Sequence, residues 1–254
     1  AYLDNVLAAR ADERRRSWAR VNAARTRESW EMTVYPNDAE GMAAARLTIV
    51  NGFPDLPSNS IILPAASLRP PLFDAASPPE VRYGAFGSLV AHELVHALEH
   101  YAYEGDRARR PLWSPGDFAA HKARHRCVTE QASGFVAAES ARLDGERTLD
   151  ENVADLGGVT YAYRAMAREL GRRVDERGAD GLTAAQRFFV SYAQGWCEKA
   201  RPEFARDSLR TDPHAPARFR VNGPLANVPE FAAAFSCPAK ANMVRPAEQR
   251  CSVW

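Results

Sequence analysis

Cysteine is scarce and scattered. Cys127, Cys197, Cys237 and Cys251 are the only four, and no two stand in a C-x-x-C pair. That spacing excludes the usual cysteine-ligated zinc site. The even count fits disulfides formed in an oxidising compartment, and equally fits free buried thiols. No apolar run approaches the ~18 residues of a membrane span. Charge of one sign is not in excess either: 33 Lys and Arg face 32 Asp and Glu, a formal net charge of +1. A dedicated nucleic-acid binder would carry a clear basic surplus, so no nucleic-acid partner is expected, and the Asp12-Glu13-Arg14-Arg15-Arg16 run reads as a solvated helix face. The chain has no signal-like leader and begins with Ala, which reads as a processed or excised piece. What remains is a composition of 46% hydrophobic and 26% charged residues, ordinary for a globular chain of one domain or one domain plus an appended segment.

Glycine and proline are absent from residues 3–30, which read as one or two helices rich in Arg, Ala and Leu. Residues 45–50 and 60–63 have strand character, joined by a connection rich in turn residues from Gly52 to Asn59. Pro64, Pro70, Pro71, Pro78 and Pro79 stiffen the next stretch. Downstream the periodicity predicts helices from Tyr83-Gly84 to about Glu99-His100, over 117–143, from Thr148 or Asp150 to about Arg173, over about 183–199, and a short one near Pro229, with a polar loop at 104–116. The expected fold class is α+β and mostly helical, with a small sheet edge upstream of the first of these helices.

That helix carries His92-Glu93-Leu94-Val95-His96. Histidines four apart lie one turn apart on one helix face, so both imidazoles can reach one metal ion. The glutamate after the first histidine lies close to the same ion without ligating it, and can take a proton from a metal-bound water. Phe86, Val90, Leu94 and Ala97 form an apolar stripe away from the histidines. The residues around the histidines are not the long charged ones of a solvated face, so the helix is expected to be covered on both sides, with one side facing a cleft.

A hydrolytic zinc takes three protein ligands plus water. Glu151 and Asp155 share a helix face downstream; one can ligate while the other accepts the spare N–H of a ligand histidine. Thr148-x-x-Glu151 also spells a capping box, which explains the same acid structurally. His121 and His125 are four apart too, but Lys122, Arg124 and Arg126 surround them and no glutamate follows, so they read as part of a solvated basic helix. His100 reads as a polar flank. His214, in Asp212-Pro213-His214-Ala215-Pro216, is either exposed and idle or held for chemistry.

The motifs taken in order resemble the catalytic part of the neprilysin family of zinc metallopeptidases, gluzincins with a thermolysin-type, zincin-like active-site core. The resemblance spans about Tyr2 to Trp254. It rests on Val50-Asn51-Gly52, on Ile62-Leu63-Pro64-Ala65 and on Leu68-Arg69-Pro70-Pro71-Leu72-Phe73-Asp74. It continues through His92-Glu93-Leu94-Val95-His96 and Glu151-Asn152-Val153-Ala154-Asp155-Leu156-Gly157-Gly158. It ends with Gln194-Gly195-Trp196-Cys197, Asp212-x-His214-x-Pro216, Phe219 to Asn227 and Cys251-Ser252-Val253-Trp254.

The resemblance implies one Zn2+ per chain held by His92, His96 and Glu151, with Glu93 as general base and Asp155 orienting a ligand histidine. It implies that His214 stabilises the oxyanion, a donor contribution on the order of 3 kcal/mol. Asn51 and Gly52 would form the substrate-binding edge, and Arg220 would bind a substrate carbonyl. The implied activity is endopeptidase cleavage of oligopeptides on the amino side of hydrophobic residues; the alternative is a zinc-bound but catalytically silent binding module. Residues 1–254 would be the catalytic domain, with segment 1–40 docking on an N-terminal region or second chain. The location implied is extracellular, periplasmic or cell-surface.

Several positions depart from the family. Glu99 stands where an aspartate is usual, as a partner of the zinc helix. Gly52 replaces alanine, which would loosen the substrate-binding edge. Ser88 and Gly195 replace larger apolar residues near the specificity pocket, which implies a wider one. The resemblance further implies a Cys127–Cys251 disulfide. Cys197 and Cys237 would pair with each other, stay free, or bond to another chain.

Overall fold

The structure, a computed structural model, describes residues 49–55, 60–104, 113–138 and 141–253. The chain divides into Ala1–Ile49 and Val50–Trp254, and the elements described belong to the second unit. The helices expected within 3–30, the segment 1–40 and most of the strand expected over 45–50 lie outside the described residues.

The first strand, β1 (Phe53–Asp55), falls within the stretch read as a turn, and pairs antiparallel with β2 (Ser60–Ile62), Phe53 opposite Ile62. Pro54 explains the difference: it biases Phe53 toward extended backbone, and a two-stranded sheet has only edge strands, where proline is tolerated. Helix α1 (Pro79–Arg82), a π-helical turn at Tyr83–Gly87 and α2 (Ser88–Glu104) follow as one run. Pro79 opens it at a position where no backbone N–H is missed, and α2 extends a turn beyond His100, its expected end.

The buried face of α2 is not the expected apolar stripe. Leu94 is 51% exposed, whereas Ser88, Ala91, His92, Val95 and Glu99 are buried. The cause is helix α4 (Leu149–Leu170), which crosses α2 through two glycines. A Cβ at Gly157 would lie 2.6 Å from Val95 Cγ2, and one at Gly158 would lie 3.0 Å from the His92 backbone nitrogen. Only glycine lets the two backbones approach so closely, and the face drawn inward is the one that carries His92.

Helix α3 (Pro115–Ser133) lies between them in sequence, capped by Ser114 Oγ, which accepts from the Asp117 N–H at 3.1 Å. It stops at Ser133 instead of running to 143; the chain then forms β3 (Val136–Ala138) and β4 (Ala141–Arg142), an antiparallel pair. The reading of His121 and His125 as part of a solvated helix is overturned. Both are buried, in one stripe with Val128, Thr129 and Ala132, while Lys122, Arg124 and Arg126 occupy the exposed side. The basic residues describe the other face of the helix.

After α4, whose end is marked by Gly171 at φ 57°, come α5 (Ala184–Gly195), α6 (Pro202–Thr211), α7 (Ala217–Leu225) and α8 (Pro229–Ala234). A complete capping box starts α5: Gln186 N–H donates to Thr183 Oγ1, and Thr183 N–H to Gln186 Oε1. Helices α6 and α7 were not expected; both are short, and α7 contains Pro224, which masks its pattern.

One side of α4 packs Val159 and Met166 against Phe188 and Phe189 of α5, all at most 1% exposed. Each such side chain contributes roughly 1.5–3 kcal/mol through burial. The other side packs Val153 and Leu156 against Val95 of α2 and against Val253. There the Cys127–Cys251 disulfide ties the end of the chain to α3. Cys197 and Cys237 are not bridged to each other. No described helix is long and apolar enough to cross a membrane.

Candidate metal centre and active site

The close crossing of α2 and α4 brings the two histidines of one helix against the first turns of the other. His92 Nε2 and His96 Nε2 are 3.0 Å apart. Glu151 faces both, its Oε2 at 3.2 Å from His92 Nε2 and its Oε1 at 3.4 Å from His96 Nε2. Two imidazoles and a carboxylate thus converge with edges of 3.0–3.4 Å. A tetrahedral zinc with bonds of about 2.0–2.1 Å needs edges of about 3.3 Å, so the donor set and its spacing fit that ion.

Thr148 does not form the capping box its spacing allows. Its hydroxyl donates to Asp144 O and accepts from Asn152 Nδ2, leaving Glu151 directed at the histidines. Asp155, one turn on, lies behind His92: its Oδ1 is 2.9 Å from His92 Nδ1. A carboxylate there favours the tautomer whose Nε2 lone pair points at the metal position. Asp155 also receives Arg220, with Nε to Oδ2 at 2.7 Å and Nη2 to Oδ1 at 2.8 Å. Arg220 Nη2 lies 3.3 Å from Glu151 as well, and the guanidinium rests 4.0 Å over the Trp196 ring.

The charges are strongly coupled. Burial pulls the His92 imidazole down, but hydrogen bonds with Asp155 and Glu151 outweigh it and lift it to about 9. Burial pushes Glu151 up, yet contacts with His214, His92 and His96 hold it far below the carboxylate range. Asp155 is likewise held low, burial being overcome by Arg220 and His92. Glu93, whose main influence is burial itself, is raised.

Glu93 is buried beside the backbone of Gly52. A Cβ at Gly52 would lie 2.8 Å from Glu93 Cγ. Glycine at this position leaves room for the glutamate side chain. Asn51 is exposed in the extended segment before β1, its backbone fixed by Ser67 Oγ, which accepts from Asn51 N–H at 2.8 Å and donates to Asn51 O at 2.6 Å. His214 enters from the loop between α6 and α7, with Nε2 at 3.2 Å from Glu151 Oε2 and a side chain 41% exposed. The contact with Glu151 raises it.

All nine residues singled out from the sequence therefore meet around one cleft of about 1150 Å³, with Asp155 behind it. Sequence reasoning missed three others. Asp212 takes both the Nδ1 (2.7 Å) and the backbone N–H (2.9 Å) of His214, signalled only by its position two residues earlier. Trp196, part of the Gln194-Gly195-Trp196-Cys197 motif but given no role there, underlies Arg220, and Tyr192, which carries no local signal, donates its hydroxyl to Arg220 O at 2.7 Å. A side cavity of about 190 Å³ opens beside His92, lined by Leu72, Ser88, Leu89, Gly195 and Trp196 among others.

Comparisons with known proteins point to one family. The model of peptidase family M13 matches residues 51–252. Human endothelin-converting enzyme 1 is 35% identical over 238 residues, covering 92% of this chain and 29% of that protein. Neprilysin-11 of Caenorhabditis elegans is 36% identical over 212 residues, covering 81% of this chain and 25% of that protein. Among solved structures, the Mycobacterium tuberculosis zinc metalloprotease Zmp1 in complex with an inhibitor aligns at a TM-score of 0.75 and 30% identity, over 81% of this chain and 32% of its own. PepO from Lactobacillus rhamnosis HN001 aligns at 0.70 and 30%, over 82% and 32%. The chain thus spans less than a third of the length of these relatives.

Proposed function

The chain belongs to peptidase family M13, and from that premise we propose that it is the catalytic part of a zinc-dependent endopeptidase. The observation that carries the reading is the convergence of His92, His96 and Glu151, with Glu93 buried beside them on the same helix. Those three residues would hold zinc, which would supply polarisation of the scissile carbonyl and lower the pKa of the attacking water toward about 7. Glu93 takes the proton from that water and returns it to the departing amine, so no acyl-enzyme forms. Its raised pKa suits both halves of that transfer.

The remaining residues bind and orient. Asp212 holds His214 Nδ1 and leaves Nε2 toward the cleft, where it donates to the developing oxyanion. Asn51, its backbone already tied by Ser67, offers its side-chain amide to the substrate backbone. Arg220, aligned by Asp155 and Trp196, binds a substrate carbonyl on the leaving-group side. The side cavity bordered by Ser88 and Gly195 takes the hydrophobic residue that follows the cut. The Cys127–Cys251 bridge supports an extracellular, periplasmic or cell-surface setting. The catalytic part lies in Val50–Trp254, the unit that contains the matched residues 51–252.

Cleavage-site mapping on a peptide library tests the specificity. Cuts are expected on the amino side of hydrophobic residues, the largest aromatics included, and Ser88→Met is expected to shift preference toward smaller ones. A strict preference for Phe or Leu that Ser88→Met leaves unchanged would count against the pocket assignment.

A further inference from the structure

A second cluster of metal-ligating side chains lies outside this centre. Glu99, three residues after His96 on α2, meets His121 and His125 of α3, and all three are buried at 7%, 0% and 4% exposure. Glu99 Oε2 is 2.9 Å from His121 Nε2 and 3.0 Å from His125 Nε2. We propose that Glu99, His121 and His125 hold a second divalent transition-metal ion, structural in role, that pins α3 onto α2.

The arrangement repeats that of the first centre. Histidines four apart on one helix present their Nε2 atoms on one face, and a neighbouring helix supplies a glutamate. One ligand atom from each residue lies within 4.8 Å of the others in both clusters. Two imidazoles and one carboxylate are a donor set for zinc, cobalt, nickel or copper; calcium and magnesium prefer oxygen shells. A bonded ion needs the Oε2-to-nitrogen separations to open by only a few tenths of an ångström.

A simple hydrogen-bonded brace accounts for the cluster less well. Two imidazoles bracing one carboxylate would divide between its oxygens. Here both nitrogens converge on Oε2, and the other oxygen, Oε1, is buried without a hydrogen-bond partner. Leaving a carboxylate oxygen unsatisfied in the interior is costly, and an ion coordinated through both oxygens removes that cost. The indole of Trp113 lies over the His121 ring at 4.7 Å, walling that side of the cluster, while Glu99 borders the large cleft. This also places Glu99 differently from its expected role: it serves α3 and its histidines.

Metal stoichiometry of the purified full chain tests the proposal. Cys197→Ser/Cys237→Ser removes the free thiols as competing ligands, and the protein is loaded with zinc, dialysed against metal-free buffer and assayed by elemental mass spectrometry. Two equivalents are expected. His125→Gln and, separately, His121→Phe are expected to retain one, with far-UV circular dichroism unchanged. Glu151→Ala is expected to lose the other equivalent, so failure of this site and failure of the first are distinguishable. One equivalent in the parent protein, abolished by Glu151→Ala and untouched by His125→Gln, overturns the second site and leaves the first standing. Should a histidine variant fail to fold, the parent stoichiometry of two or one decides.

Discussion

Gly52 lies directly against the side chain of Glu93. A Cβ there would press on Glu93 Cγ at 2.8 Å. Alanine is the usual residue here in the resembled family, and the contact is with a side chain that can shift, so Gly52→Ala is expected to move Glu93 slightly and lower kcat by less than roughly tenfold, with the zinc content unchanged. Steady-state kinetics beside metal analysis checks it, and an unaltered kcat would show that Glu93 has room to spare. His92 gives a prediction with two opposite signs. Its folded-state pKa, about 9, exceeds the ordinary 6.5. In the metal-free protein the stabilisation from this proton is present in full below about 6.5 and is lost as pH rises through about 9. Zinc must displace the same proton, so apparent zinc affinity is expected to rise by up to about tenfold per pH unit between pH 7 and 9. Chelator competition measures this, and an affinity flat across that interval would contradict the coupling.

At the scale of elements, the α2–α4 crossing sets the metal centre. Gly158→Ala would place a methyl 3.0 Å from the His92 nitrogen and the Ser88 carbonyl. Backbone cannot yield as a side chain does, so a loss on the order of 1–3 kcal/mol is expected, together with weaker zinc binding. Gly195→Ala is the control, since its methyl would meet only Leu72 Cδ1 at 3.9 Å. Equal denaturation midpoints for the two variants would remove the crossing from the account. The spacing of His92, Glu93 and His96 was legible because it is local, and the Thr183 capping box began α5 where expected. Less legible was anything decided by a partner element. Leu94 belongs to the apolar stripe of the sequence yet is half exposed, because the glycines of α4 draw in the neighbouring face. His121 and His125, which their basic neighbours place on a solvated helix, lie buried on Glu99, which no local pattern announces. The strand at Phe53–Asp55 was hidden by the turn residues around it.

For the whole molecule, the central question is whether this chain, spanning 29% of human endothelin-converting enzyme 1, cuts peptides by itself. The described unit is held by two apolar clusters on either side of α4 and by the Cys127–Cys251 bridge across 124 residues of sequence. Removing such a bridge costs about 2–5 kcal/mol, so activity is best measured with the disulfide intact. The deciding measurement is zinc content together with peptide cleavage for the wild-type chain and for Glu93→Gln. Catalysis at this centre predicts that both proteins carry the zinc held by His92, His96 and Glu151, while only the wild type cleaves. A wild-type chain that carries that zinc and cleaves no more than Glu93→Gln would contradict it, and would leave a metal-bound binding module in place of an enzyme.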